Sequence, residues 1–225
     1  MRLLLISSSV VHGHGFLDHP EPEIRRILEG RRRVGFVPFA AHDHAGYVAK
    51  VSERLGAMGF EVSGIASKDD LDGVEAIFAG GGNTFRLLKT LYERELLEPI
   101  REKVRGGFPY LGSSAGSNIA APTIRTTNDM PIVEPPSFDA LGFVPFQINP
   151  HYLDADPDSQ HQGETRAQRL IEYLEENDTP VVAIREGSAL RVDDGVVTLA
   201  GDRPARIFRR GQEPEEVPTG SIITI

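Results

Sequence analysis

The stretch Gly112-Ser113-Ser114-Ala115-Gly116 fits the pattern G-x-S-x-G. In that pattern the middle serine sits on a sharp strand-to-helix turn with its hydroxyl exposed, and the flanking glycines remove the side chains that would clash there. The pattern selects Ser114 over Ser113 as a nucleophile. The preceding "FPYLGS" reads as a short buried strand and "SAGSNIAA" as the first turns of a helix. A helix N-terminus behind the serine favours developing negative charge. An ordinary αβ turn with a serine cap would use the same residues, so the chemistry depends on partners elsewhere in the chain.

A serine hydroxyl needs a base to take its proton, and histidine titrates in the right range. Among the seven histidines, His151 stands out in "INPHYL", after the apolar "FVPFQI" and behind Asn149-Pro150, which stiffens the backbone. The imidazole in turn needs an orienting carboxylate, and two lie on expected loops: Asp129 in "TTNDMPI" and Glu186 in "IREGSA". The residues alone leave that choice open. An oxyanion hole takes one N–H from the residue after the nucleophile and one from another loop. Ala115 and the glycine loop "AGGGNTF", with Gly81 and Gly82, could supply them. That loop matches neither G-x-G-x-x-G nor a Walker loop, which argues against a nucleotide. The pairs His12/His14 and His42/His44 have no carboxylate at a recognised zinc spacing. The acidic stretch 154–165 lacks the glycine and the closing glutamate of a calcium loop. No metal site is expected.

Positioning these groups requires a scaffold whose strand ends converge. Continuous apolar runs at Leu3–Ser7, Val34–Phe39, Glu61–Ile65, Ala76–Ala79, Pro109–Gly112 and Pro180–Ile184 suit a parallel sheet covered on both faces. Helix-period stretches alternate with them at Pro22–Leu28, Ala45–Met58, Thr84–Arg94, Glu98–Val104 and Glu164–Glu176. This alternation predicts a doubly wound α/β fold, with a mostly parallel sheet and helices on both faces. In such folds ligands collect at the carboxyl ends of strands, where the glycine loop, Ser114 and His151 all fall. Near the C-terminus "ALRVDDGVVTLAG" carries Asp-Gly between alternating residues, a hairpin signal. It predicts a small antiparallel appendage.

At 225 residues the chain is expected to form a single domain, residues 1–225. A net charge of −9 argues against nucleic acid or an anionic membrane surface as partner. The absence of cysteine excludes thiol chemistry, disulfides and Cys-ligated zinc. The N-terminal apolar run is too short for a signal peptide, and no stretch reaches transmembrane length. A soluble, cytoplasmic protein is expected.

The segments "GGGNTF", "GSSAGSN", "PTIRTTNDMPIV", "QINPHY", "GETRAQR" and "REGS" occur in this order. Together they resemble the dipeptidase E, or aspartyl dipeptidase, family of serine peptidases over nearly the full chain. The resemblance implies the fold shared with class I glutamine amidotransferases and cleavage of dipeptides with an N-terminal aspartate, without a cofactor. It implies Ser114 as nucleophile, His151 as base and Asp129 as the preferred orienter. Glu186 falls on a position also proposed for that role. It further points to Arg166, on which selectivity for aspartate is expected to rest; Asn83 and Thr84, on the glycine loop, are expected to help, and Arg125 and Arg185, flanking Asp129 and Glu186, are fallback cations. Where the family often carries a bulky aromatic before the nucleophile, this chain has Ser113. The expected partner is a small peptide substrate, and any self-association is expected to give a homodimer. Two rival readings are a cyanophycinase-like β-aspartyl hydrolase and a non-catalytic binding module on the same fold.

Overall fold

A computed structural model describes residues 1–156, 158 and 163–225. The first half of the chain alternates strand and helix as its pattern requires. β1 (Arg2–Ile6), β2 (Arg33–Val37), β3 (Glu61–Gly64), β4 (Ala76–Ala79) and β5 (Tyr110–Ser113) pair in parallel in the spatial order β1-β5-β4-β2-β3. α1 (Glu21–Ile27), α2 (His44–Ala57) and the pair α3 (Thr84–Glu93) and α4 (Leu97–Arg105) make three of the crossovers, and a short 3-10 helix at Lys68–Leu71 lies in the fourth, between β3 and β4.

The period of two along β1 sends its side chains to both faces, and Leu3, Leu4, Leu5 and Ile6 are all fully buried. Leu4 and Ile6 join Ile24, Ile27, Val51 and Leu55 of α1 and α2 on one face. Leu3 and Leu5 join Leu87, Leu91, Ile100 and Val104 of α3 and α4 on the other. Removing each such side chain from water stabilises the fold by about 1.5–3 kcal/mol. This is the doubly wound arrangement expected from the sequence.

The C-terminal half departs from expectation in two places. The hairpin of β8 (Ser188–Asp193) and β9 (Val196–Gly201) turns at Asp194 and Gly195, whose φ values of 46° and 88° suit the Asp-Gly pair. It does not stand apart as an appendage. β8 pairs antiparallel with β1 along its whole length, and β9 and β12 (Ile222–Ile223) extend the same sheet to eight strands.

The strand expected at Pro180–Ile184, observed as β7 (Val181–Ile184), is not in the large sheet. It lies in a four-stranded sheet with β6 (Gln147–Asn149), β10 (Ala205–Phe208) and β11 (Glu215–Val217). One face of this sheet, with Ile148, Val182, Ile184 and Ile207, packs into the core shared with α3 and α4. The other, with Val181, Ala183 and Phe208, is covered by Leu170 and Leu174 of α6 (Arg166–Glu176). β7 is therefore apolar on both faces for the same reason as the other strands, but beside a different neighbour. Among the described residues no helix is long and apolar enough to cross a membrane.

Candidate active site

Ser114 links β5 to a single helical turn, α5 (Ala115–Asn118). Its backbone has φ 53° and ψ −110°, a strained conformation for a residue with a Cβ. The surroundings hold it there. Ser114 N–H donates to the Ile6 carbonyl at 3.0 Å. The buried Ser117 hydroxyl lies 2.7 Å from the Ile6 carbonyl and 2.9 Å from that of Gly112. Tyr110 Oη donates to the Gly116 carbonyl at 2.7 Å. A Cβ on Gly112 would run into the Gly116 carbonyl, and one on Gly116 into the Ala79 carbonyl. Both glycines of G-x-S-x-G are thus demanded by backbone contact. Ser113 is fully buried on β5, so only Ser114 is presented for reaction. Because α5 is only four residues long, it offers free N–H groups more than a macrodipole.

His151 follows β6, also with a positive φ of 54°. Its N–H donates to Ser7 Oγ at 2.9 Å, and Ser7 Oγ donates to the Ile184 carbonyl at 2.8 Å. One buried hydroxyl beyond β1 therefore ties the base to the end of β7. The His151 ring lies in line between two partners, with Nε2 2.9 Å from Ser114 Oγ and Nδ1 2.7 Å from Glu186 Oε1. With the proton on Nδ1 donated to Glu186, Nε2 is free to accept from the serine.

The expected pairing of Asp129 with the base is not what the structure contains. Asp129 Oδ2 accepts from Thr84 N–H at 2.7 Å and from Thr84 Oγ1 at 2.6 Å. It sits at the N-terminus of α3, where a negative charge is favoured and free N–H groups need acceptors. Asn83 and Thr84 have corresponding tasks. Asn83 Oδ1 caps α3 by accepting from Arg86 N–H at 3.0 Å, and its Nδ2 donates to the Met130 carbonyl at 2.8 Å. Thr84 is buried, accepts from Thr127 Oγ1 at 3.0 Å, and spends its own donors on Asp129. On the opposite flank Asn128 Nδ2 donates to the Pro150 carbonyl at 2.7 Å, and Asn149 Nδ2 to Asn128 Oδ1 at 3.0 Å. The "TTNDM" loop is thereby tied both to α3 and to the strand end that carries His151. It walls a narrow recess of about 20 Å³ beside Ser114, lined by Thr84, Ala115, Asn118 and Asp129.

The oxyanion donors also need correction. Gly81 N–H is already given to Tyr47 Oη at 2.9 Å. The N–H groups of Gly82 and Ala115 donate to no acceptor among the described residues. Gly81 still brings the loop against the elbow, since a Cβ there would lie 3.1 Å from Ser114 Cβ.

Arg166 is the first residue of α6. Burial and the neighbouring Arg169 cation pull its pKa down, while the Asp129 carboxylate pulls it up, so the guanidinium lies in the field of the loop that walls the recess. Of the fallback cations, Arg125 lines a cavity with Thr127 and Asp129, whereas Arg185 is engaged elsewhere. Arg185 bonds Asp154 at 2.8 and 2.9 Å and Glu216 at 2.6 Å. Arg125 lies over the Phe138 ring, 5.2 Å from its centroid. The acidic stretch 154–165 falls partly outside the described residues, but its Asp154 is paired with Arg185 and held below the usual carboxylate range by that hydrogen-bonded contact. Among the described residues no cluster of three His, Asp or Glu side chains could hold a metal ion.

Ser7 and Tyr47 have no role in the sequence reading, and Asn149 enters it only through the stiff Asn-Pro pair, not through its bond to Asn128. Ser7 carried one signal, its place at the carboxyl end of the first strand. Nothing local marked Tyr47, because its partner is a loop 34 residues away.

The family model for peptidase family S51 matches residues 3–200. A peptidase E of Streptomyces coelicolor is 54% identical over 225 residues, covering 98% of this chain and 93% of the relative. A probable alpha-aspartyl dipeptidase of Drosophila melanogaster is 49% identical over 223 residues, covering 96% and 93%. Among solved structures, a putative peptidase E of Listeria monocytogenes superposes with a TM-score of 0.68 at 25% identity, covering 89% of this chain and 98% of that one. A serine, an imidazole and a carboxylate in hydrogen-bonded line, on a scaffold matched over nearly its whole length, lead to the same conclusion: this chain belongs to peptidase family S51.

Proposed function

We propose that this protein is a serine dipeptidase that hydrolyses Asp-X dipeptides through an aspartyl-enzyme intermediate. The observation that carries the reading is the line Ser114 Oγ, His151 and Glu186, at 2.9 and 2.7 Å. Ser114 Oγ attacks the aspartyl carbonyl carbon while His151 Nε2 takes the hydroxyl proton. Glu186 holds the Nδ1 proton and stabilises the imidazolium that forms. The tetrahedral oxyanion is met by the unspent N–H groups of Gly82 and Ala115. As the C–N bond breaks, His151 returns its proton to the leaving amine of X. A water molecule, deprotonated by the same nitrogen, then attacks the ester, releasing aspartate and restoring the Ser114 hydroxyl.

Selectivity for aspartate fits the same geometry. A buried, unpaired carboxylate is prohibitively costly. Arg166 lies in the field of Asp129 on the recess wall and is the cation proposed to meet the substrate's side chain, since its planar fork suits a carboxylate. Asn83 and Thr84 contribute by holding the wall, not by facing the substrate. The β-aspartyl and non-catalytic readings gain no observation in their favour.

The test combines a panel of Asp-Leu, Asn-Leu and β-Asp-Leu with two serine variants. Turnover is expected on Asp-Leu and to fall by about 10⁴-fold or more in Ser114→Ala, with loss of fluorophosphonate labelling. Ser113→Ala is expected to stay within a few-fold of the parent. Equal losses in the two variants would remove Ser114 from the nucleophile's role.

A further inference from the structure

Ser114 is flanked by two recesses that share only Ser114 and His151. A scissile bond placed over the serine lies between them, with its acyl residue toward one and its leaving residue toward the other. The proposed aspartate side is the one that opens toward the narrow recess at Asp129, in whose field Arg166 lies. The other is a cleft of about 410 Å³, lined by Ser8, Phe16, Ala41, Tyr47, Lys50 and Gly82. Its size falls within the range of small-ligand sites, and its walls mix aromatic and small residues, which suits a leaving residue of variable side chain.

A dipeptide differs from a longer peptide at one point on this side. Its leaving residue ends in a carboxylate, whereas a longer chain continues as a neutral amide. Telling them apart takes a positive charge about one residue beyond the serine. Lys50 is the cation lining this cleft among the described residues. It lies on α2, one turn after Tyr47, whose hydroxyl holds the glycine loop.

The lysine is held by its surroundings. Its Nζ lies 4.2 Å from the Phe16 ring centroid, close enough for the ring face to attract the ammonium. Phe16 is fixed in turn. Its carbonyl and that of Leu17 accept from Arg54, one turn further along α2, at 3.0 and 3.2 Å. Leu17 N–H closes the loop onto the Ser9 carbonyl at 2.7 Å. Among the described residues no carboxylate lies within 4.0 Å of the Lys50 ammonium.

We infer that Lys50, seated on the Phe16 ring at the edge of the cleft beside Ser114, binds the free α-carboxylate of the leaving residue and so selects dipeptides over longer chains. The inference rests on the dipeptidase reading above, with the narrow recess as the aspartate side.

The experiment measures kcat/KM of the full chain on Asp-Leu and on its C-terminal amide, Asp-Leu-NH2. These share the acyl residue, the scissile bond and the leucine side chain and differ only in the terminal charge. The parent is expected to prefer the acid by about fivefold, the upper end for one exposed ion contact. Lys50→Met keeps an aliphatic stem and removes the charge, and is expected to bring the acid-to-amide ratio close to one. Lys50→Arg should restore most of the ratio, and Lys50→Glu should invert it. A ratio insensitive to Lys50→Met, in a parent that cleaves Asp-Leu, overturns the role of Lys50 and leaves the dipeptidase reading standing. A change in the Asp-Leu to Asn-Leu ratio instead would place Lys50 on the acyl side and also overturn it. A parent that cleaves neither peptide overturns the dipeptidase reading itself, and this inference with it.

Discussion

Glu186 and Asp129 both border the catalytic cleft, and their surroundings give them different work. Asp129 accepts two hydrogen bonds from Thr84 at the head of a ten-residue helix. Its donors, a backbone N–H and a buried hydroxyl, keep their charge unchanged, so it locks a loop in place. Glu186 meets the imidazole of His151 at the edge of a half-exposed site. Its donor is a group that gains and loses charge during the reaction. Reach toward the active site is therefore not enough to assign a carboxylate its role. What decides is which donor it meets, and whether that donor's charge changes.

The largest expected effect separates the two carboxylates directly. Glu186→Gln keeps the size of the side chain but removes the charge that stabilises the imidazolium and selects the Nδ1–H tautomer. It should lower kcat by on the order of 10²–10⁴, with little change in melting temperature. Asp129→Asn, assayed beside it, should lose far less in kcat. A larger loss in Asp129→Asn would exchange the two roles.

Arg166→Ala probes the wall that Asp129 supports. Removing one partner of a desolvated charge pair costs about 2–5 kcal/mol, which corresponds to roughly 30- to several-thousandfold in transition-state binding. The loss should fall on kcat/KM for Asp-Leu and spare Asn-Leu, with fluorophosphonate labelling of Ser114 retained. An unchanged preference for Asp over Asn would remove Arg166 from the specificity site.

The smallest effect is the structural one. Asp129→Asn keeps an acceptor for Thr84 but removes the negative charge at the start of α3. Such a charge is worth about 0.3–2 kcal/mol, or a fall of roughly 1–8 °C in melting temperature for a chain of this length. Thermal unfolding of the two variants side by side should show the fall in Asp129→Asn alone.

The sequence made the nucleophile legible because G-x-S-x-G encodes local sterics: a β-strand, a strained serine, and two glycines where backbone meets backbone. His151 was legible as a histidine at a strand end behind a stiff Asn-Pro. The alternation of β1 to β5 with their helices followed from apolar periodicity alone. The Asp-Gly turn was visible, but not its destination against β1, since strand partners are chosen by long-range packing. The same limit explains the third member of the triad. Glu186 and Asp129 are equally plausible carboxylates on loops until β7 is placed. Once it pairs in parallel with β6, with Ala183 opposite Asn149, the residues that follow the two strands are carried out side by side, and His151 meets Glu186. The order of residues determined the elements and the strained serine, because those depend on near neighbours. The pairing of β6 with β7 determined which carboxylate reaches the base, because only a contact across the sheet sets that distance.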